Sequence, residues 1–450
     1  MSQEKKKKVI VIGSGIAGMN VIYGLMKFND FDITCITREK QYAYSTCGIP
    51  YVLEGVVEKF EDIILHRPEF FDEKNVKILT NTTVIDIDYT NKQVKTFSKE
   101  GKVDQLEFDF LVIATGRVPF TPEIKGTGLK RIYTLMNYSN GVMLKEAMTQ
   151  CEKAVIVGAG LIGLEAAVAF AANNIKTTVV ELTPSVLPAM LDLDMGIIVE
   201  EWLRNKGIEI ITGVKVKEFD GTDQVKSVIL ESDKEIPTDL VLLAVGIRPN
   251  VSIIKKTGID IGKTGGIKVD ERLHILKNNR PIENVFALGD CIETKNLITE
   301  KPMRSALAST AIMQSKTIVK NIIGKKSEYL GTISPSVTYL GGLEVGSVGL
   351  TEYAAKSFGI SYKVSTSEGA SQSKYIPDWK NLKFKFLARN NKLIGAQIIG
   401  EKDVKERINE LTIVIREKIP IGSLLKTERC YTPPLTLLND PMLNALEKLT

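Results

Sequence analysis

Two segments of this chain repeat one pattern, in which a short apolar run enters a glycine-rich turn and a helix-like stretch follows. In the first, residues 9–12 enter Gly13-Ser14-Gly15-Ile16-Ala17-Gly18. In the second, residues 154–157 enter Gly158-Ala159-Gly160-Leu161-Ile162-Gly163. A further β-branched run follows each helix-like stretch. Strand, GxGxxG turn, helix and strand together predict two Rossmann-like units in an α/β protein.

The three glycines of such a turn have separate roles. The first allows the tight turn, the second lets the backbone approach a pyrophosphate, and the third lets helix and strand pack closely. The helix N-terminus then presents free N–H groups and a partial positive charge to the phosphates. One such motif is weak evidence because glycine turns are common. Two motifs, each framed by strand and helix, predict two dinucleotide sites.

An acidic residue at the end of the second strand is expected to bind a ribose hydroxyl. Glu181 fills this position in the second unit, and no arginine neighbours it, which favours NADH over NADPH because a carboxylate repels a 2′-phosphate. In the first unit the predicted strand ends at Thr37, and the nearest acid is Glu39. Either Glu39 reaches back to the ribose, or Thr37 makes a weaker contact.

The composition excludes several classes of protein. The 450 residues correspond to about three domains. The net charge of +5 is small, and the one basic run lacks the interleaved aromatics of a nucleic-acid arm. No apolar stretch reaches the ~18 residues of a membrane helix. Five unpaired cysteines favour a reducing cytoplasm, and two distant histidines argue against a metal site.

Three further stretches have the form of buried strands that end beside a cofactor. They are "DFLVIATGRVP" at 109–119, "DLVLLAVGIRPN" at 239–250 and "NVFALGDC" at 284–291. Asp290, at the end of the third, can accept a hydrogen bond from a polyol hydroxyl. From about residue 331 the pattern becomes α+β, with a hairpin predicted where "KFKFLA" and "KLIGAQIIG" flank an Arg-Asn-Asn turn.

These motifs, in this order, resemble the pyridine nucleotide–disulfide oxidoreductases. The resemblance rests on GSGIAG, CGIPY, ATGRVP, GAGLIGLEAA, AVGIRPN, FALGD and GSVGLTE and spans roughly residues 7–445. It implies a FAD-binding domain over 1–115 and 247–328, an NAD(P)H-binding domain over 116–246, and an α+β dimerisation domain over 329–450. A homodimer with FAD and NAD(P)H as cofactors is therefore expected.

The resemblance also implies which residues contact the two cofactors. The expected FAD contacts are Gly13, Gly15, Ile16, Ala17, Gly18, Glu39, Ser45, Thr46, Ala114, Thr115, Gly116, Arg117, Gly289, Asp290 and Ala308. The expected contacts to the nicotinamide nucleotide are Gly158, Gly160, Leu161, Ile162, Gly163, Glu165, Glu181 and Gly246, with Glu165 near the nicotinamide.

Cys47, in "STCGIPY", stands alone where glutathione-reductase-like members carry a CxxxxC pair. Taken by itself, such a residue fits a buried, inert cysteine. In this setting it resembles the single cysteine of coenzyme A disulfide reductases, CoA-dependent sulfur and polysulfide reductases, and NADH oxidases and peroxidases. The resemblance implies that hydride passes to FAD and that two electrons then reach this sulfur, whose reactive form is a thiolate with a lowered pKa.

A lone redox cysteine needs an external partner, and two are plausible. Cys47 can form a mixed disulfide with coenzyme A, or it can cycle through a sulfenic acid with peroxide or oxygen as acceptor. By resemblance, Tyr375 and Tyr431 of the partner subunit face Cys47, where a phenol can protonate a leaving thiolate. Cys430 is considered as a resolving thiol, because it precedes Tyr431.

Coenzyme A carries phosphates, so cations are expected along its path. Lys27, Arg67 and Lys74 are the candidates, although each also fits an ordinary surface charge. We therefore expect a FAD enzyme that reduces CoA disulfide or a CoA-linked per- or polysulfide through Cys47. An NADH oxidase or peroxidase is the alternative enzymatic function. A redox sensor that binds flavin and NADH is the non-enzymatic alternative.

Overall fold

The computed structural model describes residues 5–255 and 257–450. The predicted FAD-binding ranges also include residues 1–4 and 256, which lie outside the described residues. Up to residue 119 the strands are β1 (Lys7–Ile12), β2 (Phe31–Ile36), β3 (Val76–Leu79), β4 (Thr82–Asp88), β5 (Gln93–Ser98), β6 (Val103–Glu107), β7 (Phe110–Ile113) and β8 (Arg117–Pro119), and the helices are α1 (Ile16–Leu25), α2 (Ile49–Glu54) and α3 (Pro68–Glu73).

The middle of the chain contains the second glycine-turn unit and then returns to the first sheet. Its strands are β9 (Ile132–Tyr133), β10 (Lys153–Val157), β11 (Lys176–Val180), β12 (Glu209–Ile211), β13 (Val216–Gly221), β14 (Val225–Leu230), β15 (Glu235–Pro237), β16 (Leu240–Leu243), β17 (Ile247–Pro249), β18 (His274–Lys277), β19 (Arg280–Ala287), β20 (Thr294–Lys295) and β21 (Pro302–Met303). Its helices are α4 (Tyr138–Met148), α5 (Leu161–Ala172), α6 (Leu193–Asn205) and α7 (Ala308–Ile322).

The C-terminal part is an antiparallel sheet with helices. Its strands are β22 (Ser336–Leu340), β23 (Leu343–Gly349), β24 (Lys363–Ala370), β25 (Asn381–Arg389) and β26 (Lys392–Gly400). Its helices are α8 (Glu352–Ser357), α9 (Val404–Arg416), α10 (Ile421–Leu425) and α11 (Pro441–Glu447). The strand order is β22-β23-β26-β25-β24.

The two glycine-turn units lie in two sheets, of which the second is parallel and the first is parallel except for its antiparallel edge strand β18. The first sheet has the order β18-β19-β7-β1-β2-β3, so distant parts of the chain share it, and the second has the order β12-β11-β10-β16-β9. In each sheet the strand that enters the glycine turn is central and nearly fully buried. The short ribbon of β8 and β17 connects the two sheets. This is the predicted α/β architecture with two Rossmann-like units.

Local geometry corrects two details of the sequence analysis. The strand in "NVFALGDC" ends at Ala287, and Gly289–Cys291 form a short 3-10 helix because Gly289 adopts a φ of +79° that ends the strand. The predicted C-terminal hairpin is confirmed, but its turn is shorter than Arg-Asn-Asn. Arg389 pairs with Lys392, and Asn390 and Asn391 alone make the turn, both with positive φ, as two-residue hairpin turns require.

A buried ammonium group joins the second glycine-turn unit to the C-terminal sheet. Lys385 on β25, whose side chain is 3% exposed, lies 2.6 Å from carboxylate oxygens of Asp194 and Glu352 and 3.3 Å from Asp192. Gln397 on β26 also donates to Asp192 at 2.7 Å. Burial lowers the pKa of Lys385, but hydrogen bonds with Asp194 and Glu352 outweigh this effect and raise it. Lys385 therefore stays charged and fastens α6 to the sheet.

We predict that Lys385→Met lowers the free energy of unfolding by about 3 kcal/mol, because it leaves a buried carboxylate at Asp192 without its cation. Urea unfolding followed by tryptophan fluorescence measures this loss. Trp202 on α6 is a suitable reporter, since its indole N–H donates to the carbonyl of Leu340 at 2.9 Å across the same junction.

The matched control for this substitution is Lys383→Met, two residues away on β25. Lys383 pairs with Glu368 at 3.0 Å, but its side chain is 34% exposed and that of Glu368 is 62% exposed. An exposed pair contributes at most about 1 kcal/mol, so this variant should unfold close to the wild type. Equal losses in the two variants would contradict the assigned role of Lys385.

Candidate active site

The first glycine of each turn lies against the backbone of the next strand of its sheet. Gly13 has a φ of +110°, and a Cβ atom there would lie 2.2 Å from the carbonyl oxygen of Ala114. Gly158 has a φ of +107°, and its Cβ would lie 2.5 Å from the carbonyl oxygen of Ala244. A residue with a side chain fits neither position. The packing of the strands therefore requires glycine as the first residue of each turn.

The other two glycines complete the same geometry in both units. A Cβ atom on Gly18 would meet the carbonyl oxygen of Gly13 at 2.0 Å, and one on Gly163 would meet that of Gly158 at the same distance. In front of Gly15 and Gly160 the space within 4 Å of the Cβ position is open. A bare backbone facing open space at a helix N-terminus is the arrangement that receives a pyrophosphate.

A cavity of about 430 Å³ opens at the carboxyl ends of β1 and β7. Most of the predicted FAD contacts line it, together with Cys47. The lining members of that prediction are Gly13, Gly15, Ile16, Ala17, Glu39, Ser45, Thr46, Ala114, Thr115, Gly116, Arg117, Asp290 and Ala308. Gly18 and Gly289 are not among the lining residues and instead allow close packing behind the wall, since a Cβ on Gly289 would lie 3.0 Å from that of Ala17.

Arg117 is one of two arginines in the described wall of this cavity, together with Arg38. Its guanidinium forms a salt bridge with Asp290, which the 3-10 helix after β19 contributes from the other half of the first sheet. Its Nε atom is buried and has no hydrogen-bond partner among the described residues. An unsatisfied buried N–H is costly, and an acceptor on a bound flavin nucleotide would satisfy it. The cavity, the bare glycine turn and this donor together fit FAD.

Several lining residues were not predicted from the sequence. They include Arg38, Tyr44, Thr82, Thr83, Val84, Met136, Asn250, Ser252, Ile253, Ala306 and Ala311. Asn250 belongs to the AVGIRPN motif, so this motif could have been used to predict that Asn250 lines the cavity. Thr82 reaches the wall because its N–H donates to the carbonyl of Thr37 at 2.9 Å, a contact between strands that no local pattern encodes.

Both candidates for the FAD ribose contact line the cavity. Glu39 is held at the wall by the hydroxyl of Tyr44, which donates at 2.8 Å, and by the side-chain amide of Asn137 at 3.3 Å. Thr37 is buried, and its hydroxyl accepts from Ser14 at 3.0 Å. The carboxylate therefore reaches the cavity although it is displaced two residues from the usual position.

The carboxylate of Glu181 is turned toward the protein backbone. It accepts the N–H of Ala159 at 2.7 Å and both the N–H and the hydroxyl of Thr183 at 2.8 Å. The residue is buried. Glu181 thus holds the second glycine turn against the end of β11. Gly246, with a φ of +116°, follows the strand against which Gly158 packs.

Cys47 is exposed and lies in a short 3-10 helix, Thr46–Gly48, which continues directly into α2. Burial of the surrounding segment raises the pKa of its thiol, the carboxylate of Glu165 raises it further, and Arg117 lowers it. This direction is opposite to the expected lowering, because burial and the carboxylate of Glu165 outweigh the effect of Arg117, which is paired with Asp290.

The remaining cysteines have different environments. Cys35 and Cys291 are fully buried, and burial raises the pKa of their thiols to about 12 and about 11. Cys151 is half-buried and Cys430 is exposed, and neither lines the cavity. Among the described residues that line the cavity, Cys47 is the one cysteine.

Glu165, on α5, connects the second unit to the C-terminal sheet. Its Oε1 accepts a hydrogen bond from the hydroxyl of Thr338 on β22 at 2.7 Å. Burial raises the pKa of Glu165, and the bond from Thr338 partly offsets this rise. The carboxyl group therefore lies at the meeting point of two domains and acts electrostatically on Cys47.

Tyr375 and Tyr431 do not line the cavity that contains Cys47 in the same chain. Both side chains are exposed, at 72% and 46%. Their segments are joined, because the N–H of Ser373 donates to the carbonyl of Pro433 at 3.1 Å. The two tyrosines thus belong to one surface of the C-terminal domain.

Lys27, Arg67 and Lys74 are all exposed on the first unit. Tyr23 on α1 contacts His66 edge to face, with ring centroids 5.1 Å apart, and His66 stacks on Phe70 at 4.0 Å. Lys27 lies one turn beyond Tyr23, and Arg67 follows His66. The contact between the two rings therefore places both cations near the same aromatic cluster.

Two further observations concern metals and membranes. Within the described ranges, the carboxylates of Asp192, Asp194 and Glu352 have the spacing of a metal site, but the ammonium of Lys385 bonds all three. Across the part of the chain that the structure describes, every helix is too short or too polar to cross a membrane.

Comparison with known proteins identifies the family. The chain is 36% identical over 445 residues to an NADH oxidase of Methanocaldococcus jannaschii, with 98% of both chains covered. It is 31% identical to a CoA-dependent NAD(P)H sulfur oxidoreductase of Pyrococcus furiosus, again over 98% of both chains. An NAD-dependent persulfide reductase from A. fulgidus superposes with a TM-score of 0.94 at 31% identity, over 98% of this chain and 82% of the other.

Family models agree with these similarities. The model of the pyridine nucleotide-disulphide oxidoreductases matches residues 7–315, and the model of their dimerisation domain matches residues 334–439. These ranges contain both glycine turns, Cys47 and the C-terminal sheet. The chain therefore belongs to the pyridine nucleotide-disulphide oxidoreductase family and is an NAD(P)H-dependent flavin oxidoreductase.

Proposed function

We propose that this protein is a homodimeric FAD enzyme that uses NADH to reduce coenzyme A disulfide, or a per- or polysulfide linked to coenzyme A, through Cys47. The observation that carries the proposal is the position of Cys47 as the one cysteine in the described wall of the FAD cavity. Such a thiol needs a sulfur partner from outside the cavity. The names of the relatives from Pyrococcus furiosus and A. fulgidus support a CoA-linked or persulfide acceptor.

FAD bound in this cavity would supply the chemistry of hydride acceptance from NADH and of two-electron transfer to sulfur. The thiolate of Cys47 attacks the disulfide and forms a mixed disulfide, and the first CoA leaves as a thiol after taking up a proton. Two electrons then cleave the mixed disulfide, which restores the Cys47 thiolate and releases the second CoA. One NADH and one proton thus convert one CoA disulfide into two thiols.

The other residues of the site have supporting roles. The bare backbone at Gly15 and the unpartnered donor of Arg117 would hold FAD, and Glu39 would bind its ribose. Tyr431 and Tyr375 of the partner subunit protonate the departing CoA thiolate. Their exposure on one joined surface of the dimerisation domain supports this role, because a subunit interface would cover that surface.

Cations and an aromatic pair form the proposed path for the CoA nucleotide. Arg67 follows His66, whose ring stacks on Phe70, and Lys27 lies one turn beyond Tyr23, whose ring contacts His66. Lys74 caps the C-terminal end of α3. Cations near partly buried aromatic rings suit a purine with phosphates.

An NADH oxidase or peroxidase is the second candidate function. The name of the 36% identical relative from Methanocaldococcus jannaschii favours it. Here the Cys47 thiolate attacks hydrogen peroxide, which gives a sulfenic acid and releases water after protonation. Two electrons and two protons then return the sulfenic acid to the thiol and release a second water.

The first prediction from this function concerns Cys47→Ser. We expect this variant to retain FAD and its reduction by NADH, but to lose CoA disulfide reduction by at least about 1,000-fold, because the sulfur nucleophile is gone. Steady-state assays and flavin absorbance measure both properties. Cys151→Ser, at a half-buried cysteine outside the cavity, is the control and should remain active. Retained CoA disulfide reduction in Cys47→Ser would contradict the proposal.

The state of Cys47 separates the two candidate functions. The experiment measures the intact mass of the denatured protein with and without dithiothreitol and then maps the peptide that contains Cys47. A reducible adduct with the mass of coenzyme A on Cys47 favours the disulfide reductase, whereas an oxygenated Cys47 favours the oxidase or peroxidase.

The second prediction concerns the basic residues. Lys27→Ala and Arg67→Ala should each raise KM for CoA disulfide by about fivefold, the effect of losing one exposed phosphate contact of about 1 kcal/mol. KM for NADH should not change. Lys226→Ala, at an exposed lysine of β14, is the matched control. An unchanged KM for CoA disulfide would remove the mutated residue from the CoA path.

The third prediction concerns the nicotinamide nucleotide. The carboxylate of Glu181 lies at the second glycine turn, where it would repel the 2′-phosphate of NADPH. We expect kcat/KM to be at least about tenfold higher for NADH than for NADPH, a difference of about 1.4 kcal/mol. Initial rates with the two nucleotides measure the ratio, and a ratio near one would contradict this role of Glu181.

A further inference from the structure

The two glycine-turn units differ in the residue that directly follows their second strand. In the second unit this residue is Glu181, whose carboxylate accepts the N–H of Ala159 in the turn. In the first unit it is Thr37, whose hydroxyl accepts from the hydroxyl of Ser14 at 3.0 Å and from the N–H of Glu39 at 3.3 Å. Thr37 thus fastens the first turn to the end of β2, but it brings no carboxylate to the cavity.

Glu39 brings a carboxylate to this wall, and two side chains hold it there. The hydroxyl of Tyr44 donates to its Oε2 atom at 2.8 Å, and the side-chain amide of Asn137 donates to its Oε1 atom at 3.3 Å. Glu39 and Tyr44 line the same cavity. Each carboxylate oxygen can accept a second hydrogen bond, so both remain able to bind a hydroxyl of a ligand.

Tyr44 is itself fixed by the N-terminus of α4. Its hydroxyl oxygen accepts the backbone N–H of Tyr138, the first residue of α4, at 3.1 Å, which leaves its proton for Glu39. The rings of Tyr44 and Tyr138 pack edge to face with their centroids 5.4 Å apart. Burial, followed by the charge of Glu39, raises the pKa of Tyr44, so the hydroxyl keeps this proton. Asn137 caps the same helix, because its Oδ1 atom accepts the N–H of Asn140 at 2.9 Å.

We propose that Tyr44 is a positioning residue, whose hydroxyl holds the displaced carboxylate of Glu39 where it binds the adenosine ribose of FAD. Asn137 holds the second oxygen of this carboxylate, so the N-terminus of α4 completes a site on the first unit. Thr37 fastens the turn and does not bind the ribose. The inference rests on the proposed position of FAD in this cavity and is independent of the chemistry of Cys47.

The test is the displacement of FAD by FMN, which contains the flavin and one phosphate but lacks the adenosine ribose. The FAD-loaded protein is incubated with increasing concentrations of FMN and separated from free flavin, and the flavins that remain bound are identified by chromatography. The FMN concentration that displaces half of the FAD measures the preference for FAD over FMN. A general loss of stability weakens both flavins and leaves this preference in place.

The variants remove one group at a time. Glu39→Gln removes the carboxylate, Tyr44→Phe removes the hydroxyl, and Asn137→Ser removes the amide donor but retains a residue that caps helices. Tyr42→Phe is the matched control, because Tyr42 is not among the described lining residues and its ring packs on Phe71 at 5.7 Å. Thermal unfolding establishes that each variant is folded.

We expect Glu39→Gln to lower the half-displacing FMN concentration by about tenfold, because hydrogen bonds to a charged group are lost. Tyr44→Phe and Asn137→Ser should each lower it by about threefold, because the carboxylate is then held by one donor. The double variant Glu39→Gln/Tyr44→Phe should match Glu39→Gln alone, since a positioning residue acts through the carboxylate. Tyr42→Phe should match the wild type.

Three results would overturn the inference. If Glu39→Gln needs as much FMN as the wild type, its carboxylate does not bind the ribose. If Tyr44→Phe has no effect, or if its effect multiplies with that of Glu39→Gln in the double variant, Tyr44 does not act through Glu39. If Tyr44→Phe fails to fold, an unchanged preference in Asn137→Ser refutes the hold on the carboxylate. Flavin exchange requires neither NADH nor a disulfide, so these results are independent of whether Cys47→Ser loses CoA disulfide reduction.

Discussion

The contact between the first glycine of each turn and the carbonyl of the neighbouring strand determines the geometry of the site. With 2.2 Å between a Cβ on Gly13 and the oxygen of Ala114, only a glycine lets β1 and β7 lie side by side at this point. The helix that follows must then begin above the carboxyl ends of both strands. The cavity lies there because the crossover connections leave the sheet in opposite directions at this position. The same constraint at Gly158 and Ala244 repeats the arrangement for the second nucleotide.

Features that depend on a few neighbouring residues could be predicted from the sequence. The glycine turns, the central strands and the C-terminal hairpin were found because periodicity and turn chemistry encode them locally. Partners distant in sequence could not be found in this way. Arg117 and Asp290 are 173 residues apart, and Lys385 and Asp194 are 191 apart. The sequence also did not predict that the carboxylate of Glu181 accepts hydrogen bonds from backbone N–H groups. An acidic residue with this role and one that binds a ribose occupy the same position in the motif.

The electrostatics of the candidate site differ from what the motif around Cys47 indicates. A reactive cysteine is expected near a cation, and Arg117 is present, but Asp290 neutralises it. Burial and, after it, the carboxylate of Glu165 raise the pKa of the thiol. The motif therefore identifies the cysteine, but the side chains around it favour the protonated sulfur.

The pairing of Arg117 with Asp290 has a consequence for how the protein is made. The first sheet receives β7 early in synthesis, but β19 and the wall residue Asp290 follow only after the complete second unit. At ribosomal rates of about 5–20 residues per second, the 173 residues from Val118 to Asp290 take roughly 9–35 s. During this interval the second unit can fold as an insertion, while the cavity stays open on one side. The nascent chain thus acquires its FAD cavity after its second nucleotide unit, although the FAD fingerprint is synthesised first.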